Sequence, residues 1–288
     1  MSRLTTLTVV ALSALLALTG CSRLAAFNAA VPKDPDVRLV ASDVAYGLQA
    51  RQKLDIYAPG GADAALPVIV FLYGGSWNSG ARGEYGFVGS AFASHGFVTV
   101  IFDPRLVPQV RYPDFLNDSA RAVRWVRDNI ADYGGDPDRI ALVGHSSGAY
   151  NALMLALAPE FLSRQGMRPR DLRAVVGIAG PYDFLPLRVD ATRQAFAGVS
   201  DLPDTQPVTR AETARQTPPI LLLHGEDDEL VLPQNSLRLA DKLRASGRPV
   251  RVMTYPRVGH VGVLLAISRP LRERARVVDD AVAFISRQ

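Results

Sequence analysis

The stretch Ile140-Ala141-Leu142-Val143-Gly144-His145-Ser146-Ser147-Gly148 decides the fold of this 288-residue chain. Its first four residues are apolar and partly β-branched, so they read as a short buried strand. Gly148 opens an Ala- and Leu-rich run to Leu157 that reads as a helix. Between the two stands G-x-S-x-G, with a glycine two places either side of Ser146. A chain that turns sharply from strand into helix tolerates little bulk at those flanking places. The turn lifts the serine hydroxyl off the sheet and aims the start of the helix at whatever reacts there. Ser146 is therefore the candidate nucleophile. Ser147 stands one place off the symmetric position, and its backbone N–H is a candidate donor to a developing oxyanion.

Working outward, further apolar, β-branched runs lie at Val68–Leu72, Phe97–Phe102, Ala174–Ile178, Ile220–Leu223 and Val250–Tyr255. Most have Gly, Pro or Asp near their ends, as buried strands do. Gln52–Ala58 alternates more and suits an edge or antiparallel strand. Helical patterns fall between these runs. Asn117–Asp132 places Ala120, Val123, Val126 and Ile130 at helical spacing, Asn235–Ala245 is amphipathic, and Arg272–Ile285 closes the chain. Strands alternating with helices predict an α/β domain over residues 38–288, with a parallel sheet covered on both faces. Residues 181–219 contain no clear strand and are expected to form a small cap. No internal repeat is present.

A serine nucleophile needs donors for the oxyanion, a base and an acid. Val68–Leu72 runs into Tyr73-Gly74-Gly75-Ser76-Trp77, where two glycines let the backbone turn and approach a substrate with no Cβ in the way. Gly74 and Gly75 are thus candidates for the oxyanion hole beside Ser147; one lost donor of this kind costs ~10²–10³ in rate. The chain has four histidines. His95 precedes a strand and reads as a helix-end or surface residue, His145 points away from the nucleophile, and His224 ends a strand and should hold the loop that follows. His260 lies after the last strand and completes the chain order serine, acid, histidine, so it is the candidate base. The acid comes from Gly225-Glu226-Asp227-Asp228-Glu229. Asp228 is the candidate, with Asp227 and the more distant Asp183 as alternatives.

With these residues in place the chain resembles the α/β-hydrolase esterases, especially the feruloyl and acetyl-xylan esterases and the carboxylesterases of the hormone-sensitive-lipase type. The likeness runs from about Leu54 to the C-terminus. It rests on Tyr73–Trp77, Asp103-Pro104-Arg105-Leu106-Val107-Pro108, Tyr133-Gly134-Gly135-Asp136-Pro137, the Ser146 pentapeptide, His224–Asp228 and Gly259-His260. It departs from the common pattern at Tyr73, where many members have His, and at Pro104, where many have Tyr. The resemblance implies an eight-stranded, mostly parallel twisted sheet and hydrolysis of carboxylic esters through an acyl-enzyme. It implies no cofactor and no metal, and gives Arg105 and Asp136 structural roles in loops near the site. The segment ahead of the core is expected to be too short for the large N-terminal cap of hormone-sensitive-lipase enzymes. That predicts an open pocket lined by Trp77, Tyr182 and Phe184, and short or medium acyl groups or an aromatic acid as substrate. An amide hydrolase, arylformamidase-like or a peptidase, would use the same machinery. A non-catalytic envelope binding protein would have no need of the intact Ser, acid and His.

Composition bounds the partners. The net charge is +4, and all the basic residues but Lys33, Lys53 and Lys242 are arginines. The densest cluster, Arg269, Arg272, Arg274 and Arg276, reads as a solvated helix face, without the interleaved aromatics or fold signature of a nucleic-acid binder. The chain begins with a short positive stretch, Met1–Arg3, then an apolar run, Leu4–Leu18, then Thr19-Gly20-Cys21. That is the layout of a signal peptide over 1–20. Its ending resembles the bacterial lipobox, which implies a lipidated Cys21, a membrane partner and a place in the cell envelope. Ser22 rather than Asp after the cysteine implies no retention at an inner membrane, and so the outer membrane or cell surface if the cell is Gram-negative. Residues 21–37 read as a tether, with two prolines and no sustained period. Cys21 is the sole cysteine, so no disulfide can contribute.

Overall fold

The computed structural model describes residues 22–61 and 64–288; Cys21 and the apolar run before it lie outside them. Eight strands form a single sheet: β1 (Val37–Ala45), β2 (Lys53–Pro59), β3 (Leu66–Leu72), β4 (Val98–Phe102), β5 (Gly135–His145), β6 (Ala174–Ile178), β7 (Ile220–Gly225) and β8 (Val250–Tyr255). Their spatial order is β1-β2-β4-β3-β5-β6-β7-β8. The β1–β2 and β2–β4 pairings are antiparallel, and β3 to β8 are parallel throughout. This is the mostly parallel eight-stranded arrangement expected of an α/β-hydrolase.

The central strands are continuous in apolar residues because both faces of the sheet are covered. Along β3, Val68, Val70 and Leu72 enter one core with the helices Asp114–Asn129, Ser147–Leu157 and Gln234–Ala245. Ile69 and Phe71 enter the other, against Gly86–Ala93 and Val277–Ile285. The parallel strands all point their carboxyl ends one way, and ligands of open α/β sheets bind in the crevice at those ends. Tyr73, Ser146, Glu226 and Pro256 each follow directly on a strand and so sit at that edge.

The structure departs from the sequence reading in five places. The segment read as a tether folds into a helix, Arg23–Ala30, followed by β1, whose side chains are mostly exposed and carry no buried alternation. The helix Gly86–Ala93 has no periodic signature because every one of its residues is buried. Segment 181–219 forms the short helices Asp190–Ala195 and Pro207–Thr213. It buries Phe196, Val208 and Ala211 in the core, and the Tyr150 hydroxyl donates to Thr205 O at 2.8 Å, so it covers the helix behind Ser146 rather than the nucleophile. The C-terminal helix spans only Val277–Ile285, and Arg272 is paired with Asp34 instead of facing water. Asp136 is the second residue of β5 and accepts from Arg139 Nε at 2.6 Å. It orders a loop, as the resemblance implies, but at the far end of an eleven-residue strand from Ser146. Among the described residues no helix is long and apolar enough to cross a membrane.

Candidate active site

Ser146 leaves β5 with φ 54° and ψ −124°. Such a backbone costs a non-glycine residue about 1–3 kcal/mol and persists only where its surroundings enforce it. Here the Ser146 N–H is held by Ile178 O at 2.9 Å, and the helix Ser147–Leu157 begins at once. Gly148 explains the pentapeptide: a Cβ on it would lie 2.0 Å from Leu72 O, so only glycine lets the helix start against β3.

The Ser146 Oγ lies 3.0 Å from His260 Nε2, and His260 Nδ1 lies 2.8 Å from Asp228 Oδ2. With Nδ1–H donating to the carboxylate, Nε2 is free to accept the serine proton; the tautomer follows from these partners. Asp228 Oδ1 accepts the N–H groups of Leu230 and Val231 at 3.0 and 2.8 Å. Burial alone would raise the Asp228 carboxyl, but hydrogen bonding to His224, His260 and Val231 reverses that and holds it well below the usual carboxylate range.

The other candidates are placed elsewhere. Asp227 is exposed, and Asp183 pairs with Arg238 at 2.8 Å. His95 caps a helix end, with Nδ1 2.8 Å from Ala91 O. His224 holds its loop between Ser236 Oγ and Val231 O, each at 2.8 Å, and its Nε2 also stands 3.3 Å from Asp228 Oδ2. This second contact makes His224 a support of the acid, a role that adjacency in sequence does not reveal. His145 is buried behind the site, its ring centroid 4.9 Å from that of His260.

Gly74 and Gly75 pass close to the nucleophile: a Cβ on Gly74 would sit 2.8 Å from Ser146 Cβ. Gly75 has φ 141°, and its carbonyl accepts the N–H groups of Asn78 and Ser79 at 3.0 Å each. The N–H groups of Gly75 and Ser147 have no acceptor among the described residues, which leaves both available to an oxyanion. Tyr73 secures the loop from below. Its hydroxyl donates to Asp103 Oδ1 at 2.6 Å, and its ring stacks on Tyr85 at 4.9 Å. Arg82 in turn pairs with Asp103, Asp55 and Asp43. Arg105 forks onto Asp118 with two bonds of 2.8 Å.

Ser146 and His260 open into a cavity of about 300 Å³, also lined by Ser22, Leu24, Gly74, Gly75, Glu84, Tyr85, His145, Leu230 and Leu264. None of the expected pocket residues is there. The backbone at Ser76 and Trp77 is left-handed, with φ 51° and 62°, and the Trp77 ring lies in the core. Its Nε1–H donates to Asn151 Oδ1 at 3.0 Å, and it packs among Phe115, Tyr150 and Phe196. Tyr182 is fully buried, and Phe184 packs on Trp77 and Tyr150. These aromatics build the floor of the domain because their bulk satisfies the core first. A larger cavity of about 820 Å³, bordered by Gln49, Arg51, Asn78 and Arg105, includes neither Ser146 nor His260. Among the described residues no group of three His, Cys, Asp or Glu side chains is arranged to hold a metal ion.

A family model described as BD-FAE matches residues 54–243, from β2 through most of the helix Gln234–Ala245. The chain belongs to the BD-FAE family. Among curated proteins, this BD-FAE chain is 34% identical over 248 residues to a probable carboxylic ester hydrolase, LipM, of Mycobacterium tuberculosis, covering 79% of the chain and 57% of LipM. It is 30% identical over 268 residues to a probable isoprenylcysteine alpha-carbonyl methylesterase of Oryza sativa subsp. japonica, covering 86% of the chain and 64% of that protein. The chain thus spans about three fifths of the length of these relatives. Of solved structures, esterase B of Lactobacillus rhamnosis superposes with a TM-score of 0.80 at 20% identity, over 97% of this chain and 95% of that one. At that identity the likeness establishes the fold, and the site must be argued from its own geometry.

Proposed function

We propose that this BD-FAE member hydrolyses carboxylic esters of short to medium acyl or aromatic acids, through an acyl-enzyme on Ser146. The observation that carries the reading is the Ser146–His260–Asp228 relay, at 3.0 and 2.8 Å, beside two backbone N–H groups with no acceptor among the described residues. Ser146 Oγ attacks the ester carbonyl while His260 Nε2 takes its proton. The carbonyl oxygen becomes an oxyanion held by Gly75 and Ser147. As the tetrahedral species collapses, His260 returns the proton to the leaving alcohol oxygen, and the acyl group stays on Ser146. Water then repeats the sequence, releasing the carboxylic acid and the free serine. The carboxylic ester hydrolase and methylesterase among its relatives support ester chemistry, and a cavity of about 300 Å³ suits a small acyl group.

A fluorophosphonate probe and a panel of esters and amides test this. Labelling and ester turnover are expected in the wild type and absent from Ser146→Ala. Labelling that survives the substitution overturns the role of Ser146, and faster turnover of the amides moves the enzyme to the amide hydrolases.

The proposal extends to the N-terminus. A lipidated Cys21 would hold the enzyme at the cell envelope, a reading supported by the Leu18-Thr19-Gly20-Cys21 sequence. Metabolic labelling with an alkyne fatty acid is expected to tag the wild type; a tag retained in Cys21→Ser excludes it.

A further inference from the structure

One wall of the catalytic cavity is not accounted for by the reaction. Ser22 and Leu24 line it together with Ser146 and His260, although they come from the start of the chain's first described helix, Arg23–Ala30. An eight-residue helix does not persist alone in water, so its place depends on docking, and the docking contacts are specific. The Ser22 hydroxyl bonds the Glu84 carboxylate, and Ser22 Oγ accepts the Ala25 N–H at 3.0 Å. Asn28 donates to Gly83 O at 2.8 Å and accepts the Phe87 N–H at 3.0 Å. Phe27 meets the edge of Phe87 at 5.4 Å. The helix is therefore pinned to the turn at residues 82–87, which follows the Gly74-Gly75 loop.

The lining is otherwise glycine, hydroxyl, carboxylate, phenol and imidazole; its aliphatic side chains are Leu24, Leu230 and Leu264. Leu230 is 72% exposed, whereas Leu264 is buried. An apolar group in this cavity would meet Leu24 and the exposed Leu230 beside Ser146.

We propose that the helix Arg23–Ala30 is a specificity wall of the catalytic cavity, and that Leu24, with Leu230 and Leu264, receives an apolar group of the ester and limits its length. This rests on the ester-hydrolase reading above. The substrate class it implies is an ester with a compact aliphatic group on the side that meets Leu24.

The test is the kcat/KM of the purified full chain on p-nitrophenyl esters from acetate to octanoate. Leu24→Trp narrows the cavity and is expected to lower the hexanoate-to-acetate ratio about tenfold or more, as a methylene that no longer fits does. Leu24→Ala is expected to move the optimum toward longer chains. Leu230→Trp, on an exposed side chain where folding is not at risk, should act in the same direction as Leu24→Trp. Ala26→Trp, on the exposed face of the same helix, should leave the ratio at the wild-type value. Superimposable profiles for wild type, both Leu24 variants and Leu230→Trp overturn the wall. A wild type that turns over no ester and takes no fluorophosphonate overturns instead the reading on which the wall rests.

Discussion

His145 and Ser146 are neighbours in sequence under opposite demands. Ser146 is presented to a cavity, while the His145 ring is buried, with Nε2 3.2 Å from His260 O and Nδ1 without a partner among the described residues. Burial, reinforced by the nearby His260, pushes the His145 imidazole down to about 3. Between that value and about 6.5 the unfolded chain binds a proton that the native state does not. Stability must therefore rise with pH across this window: it is complete above about 6.5 and is lost as pH falls toward 3. From pH 7 to pH 5 the loss from this one group is roughly 2 kcal/mol. Asp228 has the same sign, but its window lies below the ordinary carboxylate value near 4, so it leaves the range from 7 to 5 untouched. Urea midpoints at the two pH values should converge in His145→Gln; an undiminished difference would assign the effect to another group. Asp228→Asn probes the relay itself. An amide donates where the carboxylate accepted, so His260 is driven to the wrong tautomer, and kcat should drop on the order of 10⁴-fold while labelling-independent folding markers such as circular dichroism stay put.

The elements that carry the site were readable in proportion to how local their signals are. The strand, turn and helix around Ser146 announce themselves because a glycine at 148 is demanded by Leu72 O, and the acid loop because a histidine after β8 needs a carboxylate after β7. Seven of the eight strands are legible, six as apolar runs and β2 by its alternation; β1 is not, since its exposed, bulged pairing with β2 leaves no alternation. The pocket is not legible in the sequence for a different reason. Trp77, Tyr182 and Phe184 read as lining from position alone, but the left-handed turn at Ser76 and Trp77 follows from the chain's path after Gly75 rather than from residue type. The same path makes a prediction about the Gly74-Gly75 loop. A Cβ on Gly75 would meet Ser79 O at 2.2 Å, at a φ of 141° that alanine resists. Gly75→Ala must therefore shift the loop and misplace its N–H. The expected cost is ~10²–10³ in kcat with KM little changed; a loss confined to KM would mean that the loop binds substrate without holding the oxyanion.

On the scale of the whole molecule, the segment after the first described helix and the one before the last close on each other beside the helix Gly86–Ala93. Asp34, just past the N-terminal helix, receives both arms of the Arg272 guanidinium at 3.0 Å each, and its own N–H is held by Ser90 Oγ at 2.8 Å. The carboxylate is almost wholly buried and the guanidinium only partly so, with side-chain exposures of 7% and 20%. A sequence pattern could not have joined them, because one sits in a proline-flanked stretch without period and the other in an arginine cluster that looks like a solvated face. Their pairing has a consequence for the site: it fixes the strand of chain that leads back to Leu24 and the cavity wall. Asp34→Asn keeps the shape and removes the charge, leaving Arg272 without its counter-ion. Hydrogen bonds to charged groups contribute about 1.5–3 kcal/mol, and for a domain of this size each 1 kcal/mol moves Tm by roughly 2–4 °C. Thermal unfolding should therefore begin several degrees lower in Asp34→Asn. Arg272→Gln should cost a similar amount and the double variant little more than either alone, since partners in one bond do not add. Fully additive losses would show instead that the two residues act on separate contacts, and that the ends of the chain are held by something other than this pair.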